Sequence, residues 1–217
     1  MLVNKSSLTS IGLVKSINLL DLILPSVCAV CENVGANLCS VCAEKLNPSP
    51  HLFVRGTLQG LAATTYTPEM SKLLVAFKDK GQTSLITKIK PLLEPLVKEI
   101  SSVNQLVHLV PSPSRRENFY RRGFTPSLIF ANALSDDVDN ARVLNCLTIA
   151  EVADQVGLSA AERLSNLAGS MSSNQKLGGK VCFVVDDIVT TGATINEAWR
   201  ALSIAGAVVI GALAVSE

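Results

Sequence analysis

Apolar and polar positions divide the chain into three stretches. The first, up to about Pro50, opens on a fairly apolar segment in which Ser7–Leu24 predicts an amphipathic helix packed on the body of the protein. It ends in Asn47-Pro48-Ser49-Pro50, a turn-rich linker. The second stretch, from about Arg55 to Ser102, predicts an extended Gly56–Tyr66 and a helix over Glu69–Lys78, with Met70, Leu73, Leu74 and Phe77 at helical spacing. Lys78-Asp79-Lys80-Gly81 is a polar turn, and Thr83–Ile100 a longer helix broken by Pro91 and Pro95. Strand and helix alternate in the third. Gln105–Val110 is a short apolar strand followed by a basic loop, and helices are predicted over Phe124–Leu134 and Ser159–Ser170. Lys180–Val185 is a buried strand, Thr194–Ile204 a helix ending near Gly206, and Ala207–Val215 a further buried strand. This alternation predicts an α/β fold, a mostly parallel sheet flanked by helices.

Composition sharpens the picture in a few places. A chain of 217 residues holds one α/β domain of ordinary size plus a small appendage, here divided as 1–50 and 51–217. With 48% apolar residues a full core can be buried, and with 4% aromatics it must be built from Leu, Val, Ile and Ala. The net charge of +1 gives no global field to attract nucleic acid, so any such binding needs a local basic patch. Lys15 and Asp21 keep the N-terminal segment short of the roughly 18–20 apolar residues that a membrane span needs. No small-residue cleavage site follows a clean apolar block there, and a cytoplasmic protein without a membrane span is expected.

The apolar run Val181–Val185 meets Asp186-Asp187 and then Ile188-Val189-Thr190-Thr191-Gly192-Ala193-Thr194 before the next helix. That loop lies at the carboxyl end of a parallel strand, where open α/β sheets bind ligands. Thr190–Thr194 offers consecutive backbone N–H groups, three hydroxyls and a helix N-terminus, which together suit a terminal phosphate. Gly192 lets the backbone approach the oxygens. Two carboxylates would repel the same phosphate, but they accept hydrogen bonds from vicinal hydroxyls. Phosphate on one side and diol on the other describe a ribose 5-phosphate. A P-loop is excluded, since there is no Gly-Lys-Ser/Thr. An acidic first turn capped by threonine would account for one Asp and one Thr, not for the whole string.

Cys28-x-x-Cys31 and Cys39-x-x-Cys42 form two knuckles close enough to share one tetrahedral ion. Four thiolates make a closed structural zinc site. An iron–sulfur cluster, redox thiols and a vestigial cluster are the alternatives. Cys146 and Cys182 are read as buried apolar residues. Arg115, Arg116, Arg121 and Arg122 crowd together beside Phe119, Tyr120 and Phe124, which fits a solvated basic loop, a pyrophosphate site or a single-stranded nucleic-acid contact. His108, in a strand, is read as a satisfied core residue rather than a catalyst.

The string Val184–Thr194 resembles the phosphoribosyl pyrophosphate signature of type I phosphoribosyltransferases, and the whole chain resembles the ComF/GntX family. Leu22-Ile23-Leu24-Pro25, Phe77-Lys78 with Gly81, Pro111-Ser112-Pro113, Arg122-Gly123-Phe124 and Gln155, Leu158, Ser159, Arg163 and Asn166 fall in that family's order. The resemblance implies a type I phosphoribosyltransferase-like fold with a small N-terminal zinc-binding module held by Cys28, Cys31, Cys39 and Cys42. It implies that Thr190, Thr191, Gly192, Ala193 and Thr194 hold the 5-phosphate of phosphoribosyl pyrophosphate or a related ribose phosphate, and that Asp186 and Asp187 contact the ribose hydroxyls. It places the pyrophosphate at Pro111, Ser112, Pro113 and Ser114, with Arg115 and Arg122 as partners, Lys78 near the donor, and Mg²⁺ bridging the pyrophosphate and the ribose. Arg163 and Asn166 would belong to a segment folding over the donor. Thr125-Pro126 stands where relatives usually have Asn-Gln, and Leu147–Asp154 lacks their basic residues, so the resemblance reaches the phosphate site but not the acceptor pocket. The family's link to DNA uptake implies either a phosphoribosyltransferase with an unidentified acceptor or a non-catalytic accessory protein that meets a helicase-like partner or single-stranded DNA.

Overall fold

The structure is a computed structural model and describes residues 26–150 and 167–217. The helix expected over Ser7–Leu24, most of that over Ser159–Ser170, and Gln155, Arg163 and Asn166 lie outside the described residues. The cysteine segment ends in a one-turn helix, α1 (Ser40–Ala43), which carries Cys42, and an antiparallel hairpin of β1 (His51–Arg55) and β2 (Leu58–Thr64) follows. The expected extended stretch thus covers only the second strand; the first lies between the predicted linker and that stretch. α2 (Pro68–Lys78) starts where the Thr67 hydroxyl accepts the Met70 N–H, with Pro68 at its first position. The long helix expected over residues 83–100 is a relay: 3₁₀ turns at Thr83–Leu85 and Lys90–Leu93 alternate with α3 (Ile86–Ile89) and α4 (Glu94–Ser101). Pro91 and Pro95 each sit in the first two positions of a new segment, where a missing N–H costs nothing.

β3 (Val107–Pro111) leads into α5 (Arg116–Arg122), a helix where the basic residues had suggested a loop; Gly123, at φ 77°, ends it in the left-handed region. α6 (Pro126–Ser135), β4 (Ala141–Val143) and β5 (Leu147–Ile149) follow, then β6 (Met171–Ser173), β7 (Val181–Ile188), α7 (Ala193–Ile204) and β8 (Val208–Ser216). Strands β4, β5 and β6 are three residues each, too short for a period-two pattern to reveal them.

Six strands form one sheet in the order β1-β2-β8-β7-β3-β4, parallel throughout except for the antiparallel edge strand β1. Strands β5 and β6 form a separate antiparallel pair. Because successive side chains of a strand face opposite ways, β7 feeds both cores. Phe183 and Val185 join a cluster with Met70, Leu73, Phe77, Leu93 and Phe130, while Cys182 and Val184 join Phe53, Ile195, Ala198, Leu202 and Ala212 on the other face. Both faces being covered explains why the central strands read as unbroken apolar runs. The Phe77 ring lies 5.0 Å from Phe130 and 5.8 Å from Phe124, an aromatic knot in a largely aliphatic core. Cys28, Val30, Leu38, Cys42 and Leu46 belong to the first cluster, so the cysteine segment shares the main core. Among the described residues no helix is long and apolar enough to cross a membrane.

Candidate functional site

The carboxyl ends of β3 and β7 open into a cleft of about 420 Å³ lined by Lys78, Ser112, Pro113, Ser114, Arg115, Arg122, Asp186, Asp187, Thr190 and Thr194, among others. Its floor is the acidic pair. β7 extends past Val185, where the apolar run stops, and includes both carboxylates as its last turns of the pleat. They are 8% and 7% exposed, and strand alternation sends them to different partners. Asp187 faces the α2 side, where Lys78 Nζ stands 2.5 Å from its Oδ2. Asp186 Oδ1 accepts the Ser112 hydroxyl at 2.8 Å and the Asp187 N–H at 2.9 Å. Ser112 is itself held: its N–H donates to the Val185 carbonyl, and its carbonyl accepts the Ser127 hydroxyl at 2.6 Å.

This wiring sets the electrostatics. Burial, and then the charge of Asp187, push the Asp186 carboxyl up to about 8, against the opposing bonds from Ser112 and the Asp187 N–H. The adjacent acids therefore have unlike surroundings: Asp187 has the Lys78 ammonium beside it, and Asp186 has only hydrogen-bond donors.

Above the pair, Thr190 to Thr194 turn from the strand into α7. Gly192 caps the helix at φ 77°, and Thr191 Oγ1 accepts the Ala193 N–H at 3.4 Å. A second, small hollow of about 30 Å³ is lined by Asp186, Ile188 to Ala193, Thr194 and Ile195. Thr190 and Thr191 are exposed, whereas Gly192 and Ala193 are buried. A helix N-terminus with hydroxyls and N–H groups at its mouth offers a concentrated positive potential for a phosphate.

The basic side of the cleft is supplied by α5. Arg122 is mostly buried, with its Nε and Nη2 on Asp79 Oδ1 at 3.2 and 2.9 Å; Arg121 shares the same oxygen. Arg115 lies half-buried at the start of α5. Pro111 sits inside β3, buried and paired with Val185, behind the lining formed by Ser112, Pro113 and Ser114. The structure therefore brings Lys78, Ser112, Arg115, Arg122, Asp186, Asp187, Thr190 and Thr194 to one cleft and leaves Pro111 in the sheet.

Several participants were not legible beforehand. Asp79, read as part of a polar turn, is the C-cap of α2 and orients two arginines. Arg55 Nε donates to the Thr190 carbonyl at 2.9 Å, and its guanidinium pairs with Glu217. Tyr66, Asn118, Ile149, Leu167 and Met171 also line the cleft. The one available signal was the alternating charge of Lys78-Asp79, which puts opposite signs at a helix end.

The four clustered cysteines meet as well. All four Sγ atoms lie within 4.8 Å of one another, and Cys31 and Cys39 are 3.7 Å apart. A tetrahedron with metal–sulfur bonds of about 2.3 Å has edges of about 3.8 Å, so the donor set fits one zinc ion. Burial raises the Cys28 thiol, but N–H groups of Cys31, Cys39 and Val30 outweigh it and bring it down to about 6. Burial and the neighbouring thiols push Cys42 up to about 12. Cys146 and Cys182 are fully buried in the second apolar cluster, and burial raises both. His108 is half-buried with Nδ1 3.3 Å from the Val181 carbonyl, away from the cleft.

Comparison with known proteins follows the same lines. Residues 125–216 match the family described as phosphoribosyl transferase domain, which takes in the acidic pair and the Gly192 loop. Competence protein F of Haemophilus influenzae is 28% identical over 139 residues, covering 61% of this chain and 61% of that protein. DNA utilization protein YhgH is 29% identical in Salmonella typhimurium over 186 residues (79% of this chain, 81% of that protein) and 28% in Escherichia coli over 189 residues (79% and 80%). An adenine phosphoribosyltransferase of Leishmania donovani overlays 81% of this chain and 67% of that chain at 12% identity with a TM-score of 0.40, too loose to bear on the site. The chain thus carries a phosphoribosyl transferase domain, is similar to proteins named competence protein F and DNA utilization protein YhgH, and has a four-cysteine cluster near its N-terminus that is consistent with the ComF family.

Proposed function

We propose that this chain binds phosphoribosyl pyrophosphate with Mg²⁺ and works as a phosphoribosyltransferase-like protein of DNA uptake. One observation carries the reading: a buried acidic pair with split partners stands directly beneath a threonine-lined helix N-terminus, in one cleft with Arg115 and Arg122. Thr190–Thr194 takes the 5-phosphate, Asp186 and Asp187 the ribose hydroxyls, and Ser114, Arg115 and Arg122 the pyrophosphate. Mg²⁺ prefers hard oxygen ligands; Asp186 and Asp187 are the carboxylates of the cleft that would face it, and Lys78, which occupies Asp187, would have to give way to it. When bound, the ion supplies neutralisation of the pyrophosphate as it departs. The chain's own part is positional: the loop and the acid pair fix the ribose, and the arginines stabilise charge that develops on the leaving group.

The relatives' names, competence and DNA utilization, support a place in DNA uptake. We keep residues 1–50 as a structural zinc module on Cys28, Cys31, Cys39 and Cys42, and residues 51–217 as the phosphoribosyltransferase-like domain. A second reading, an accessory protein that meets a helicase-like partner or single-stranded DNA, is favoured by α5. There Tyr120 and Phe119 are exposed, and the Arg116 guanidinium stands 5.5 Å over the Tyr120 ring. Two of the four arginines are already engaged by Asp79, which leaves that surface less charge than the sequence suggests.

Calorimetry with phosphoribosyl pyrophosphate and Mg²⁺ tests the proposal. Saturable binding is expected, and its loss in the double variant Asp186→Asn, Asp187→Asn. A double variant that binds as well as the wild type would sink the site. Pyrophosphate release across a panel of bases separates the two readings: turnover supports an enzyme, and binding without release the accessory role. Metal analysis of protein purified without added metal should find one zinc per chain; far less refutes the module.

A further inference from the structure

The phosphate loop is backed by a residue from the far edge of the sheet. Arg55 ends β1, which is separated from β7 by two strands, β2 and β8. Its Nε donates to the Thr190 carbonyl at 2.9 Å, its Nη1 to its own neighbour's carbonyl at Val54, and its Nη2 pairs with Glu217. Glu217 is fixed in turn, 16% exposed, with Oε2 3.0 Å from His51 Nε2. The aliphatic stem of Arg55 lies flat against Gly192: a Cβ built there would stand 2.4 Å from Arg55 Cβ and 2.7 Å from Cγ. Next to it, Asn196 of α7 returns its N–H and its Nδ2 to the Gly192 carbonyl. The β1–β2 hairpin and the first turn of α7 thus grip the loop from behind.

The consequence follows from peptide geometry. In a trans peptide the carbonyl of one residue and the N–H of the next point in opposite directions. A guanidinium that holds the Thr190 carbonyl on the hairpin side turns the Thr191 N–H away from the hairpin, and Thr191 lines the small hollow, to which Arg55 does not contribute. Released, the same peptide can rotate and offer a carbonyl oxygen to the incoming phosphate, replacing attraction with repulsion. We infer that Arg55 is a positioning residue for the phosphate end of the ligand: it sets the orientation of the Thr190–Thr191 peptide and does not touch the ligand itself. This rests on the ribose-phosphate reading of the loop.

The inference separates the two ends of the donor, so two probes test it, ribose 5-phosphate and inorganic pyrophosphate, each titrated calorimetrically into the full chain. Arg55→Gln should weaken ribose 5-phosphate roughly tenfold, the scale of one misplaced hydrogen bond, and leave pyrophosphate unchanged. Arg55→Lys keeps the charge and the stem against Gly192 but carries no Nε–H, and should lose severalfold; it serves as the test if the glutamine variant does not fold. In amide spectra, the Thr191 signal should shift in the lysine variant before any ligand is added, which mere loss of stability would not produce. Wild-type affinity for ribose 5-phosphate in either variant overturns the inference alone, and an equal loss for both probes overturns it too. A wild-type chain that ignores ribose 5-phosphate overturns the ribose-phosphate reading together with the inference.

Discussion

Replacing Asp186 by asparagine should make the protein more stable and less able to bind. Asp186 is 8% exposed, and its Oδ1 accepts bonds from the Ser112 hydroxyl and the Asp187 N–H. An asparagine Oδ1 can accept both, so the exchange keeps shape and hydrogen bonds and removes only an ionisable proton. In the folded chain that proton leaves at about 8, in the unfolded chain near the ordinary value of 3.8. Above the ordinary value the unfolded chain therefore binds fewer protons than the folded one, and stability falls as pH rises. The fall continues until the folded-state value is passed and then levels off. Its slope is about 1.4 kcal/mol per pH unit for one such group. For a chain of this size that is about 3–6 °C of melting temperature per unit. Thermal melts of wild type and Asp186→Asn between about pH 5 and pH 8, in buffer free of Mg²⁺ and phosphate, should diverge steadily, with the variant higher at the alkaline end. Ligands that neutralise the pair should shrink the gap in the wild type. Parallel melting curves, or a variant that melts lower at pH 8, would refute the idea that burial holds this acid protonated.

Three further predictions follow from the wiring. Gly192→Ala combines a positive φ with a Cβ 2.4 Å from Arg55, so denaturant unfolding should show a loss of about 1–3 kcal/mol together with weakened ligand binding. Glu197 is buried at 5%; burial would raise its carboxyl, but Arg200 and the Met171 and Gly169 N–H groups hold it below the ordinary 4.5. Its stabilising effect is present above that value and vanishes as pH falls, so Glu197→Gln should flatten the acid limb of unfolding followed by circular dichroism between about pH 5 and pH 3. A chelator should lower the melting temperature sharply, since Cys28 and Cys42 sit in the main core; an unchanged melt would show that the cysteines pack without metal.

Local patterning was enough for the elements that feed the core. The Val181–Val185 run announced a strand covered on both faces, and Met70, Leu73, Leu74 and Phe77 announced the buried side of α2. The loop Thr190–Thr194, the acidic pair and the two cysteine knuckles were legible because each concentrates its chemistry within a few residues. β1, β4, β5 and β6 were not, as strands of three to five residues carry too little periodicity, and in α5 no residue is buried to mark a face.

What only the tertiary structure decided is the partner of each charge. Ser112 and Asp186 are 74 residues apart, Arg122 and Asp79 are 43 apart, and Arg55 reaches Thr190 across 135. Such pairs depend on sheet order, on the crossovers that bring β3 beside β7 and β2 beside β8, and on which helix end overhangs which strand end. Periodicity is a property of neighbours in sequence and is written locally. Electrostatic pairing is a property of neighbours in space, so the sequence could name the acids and the loop, while the fold alone chose which acid takes the lysine and which keeps its proton.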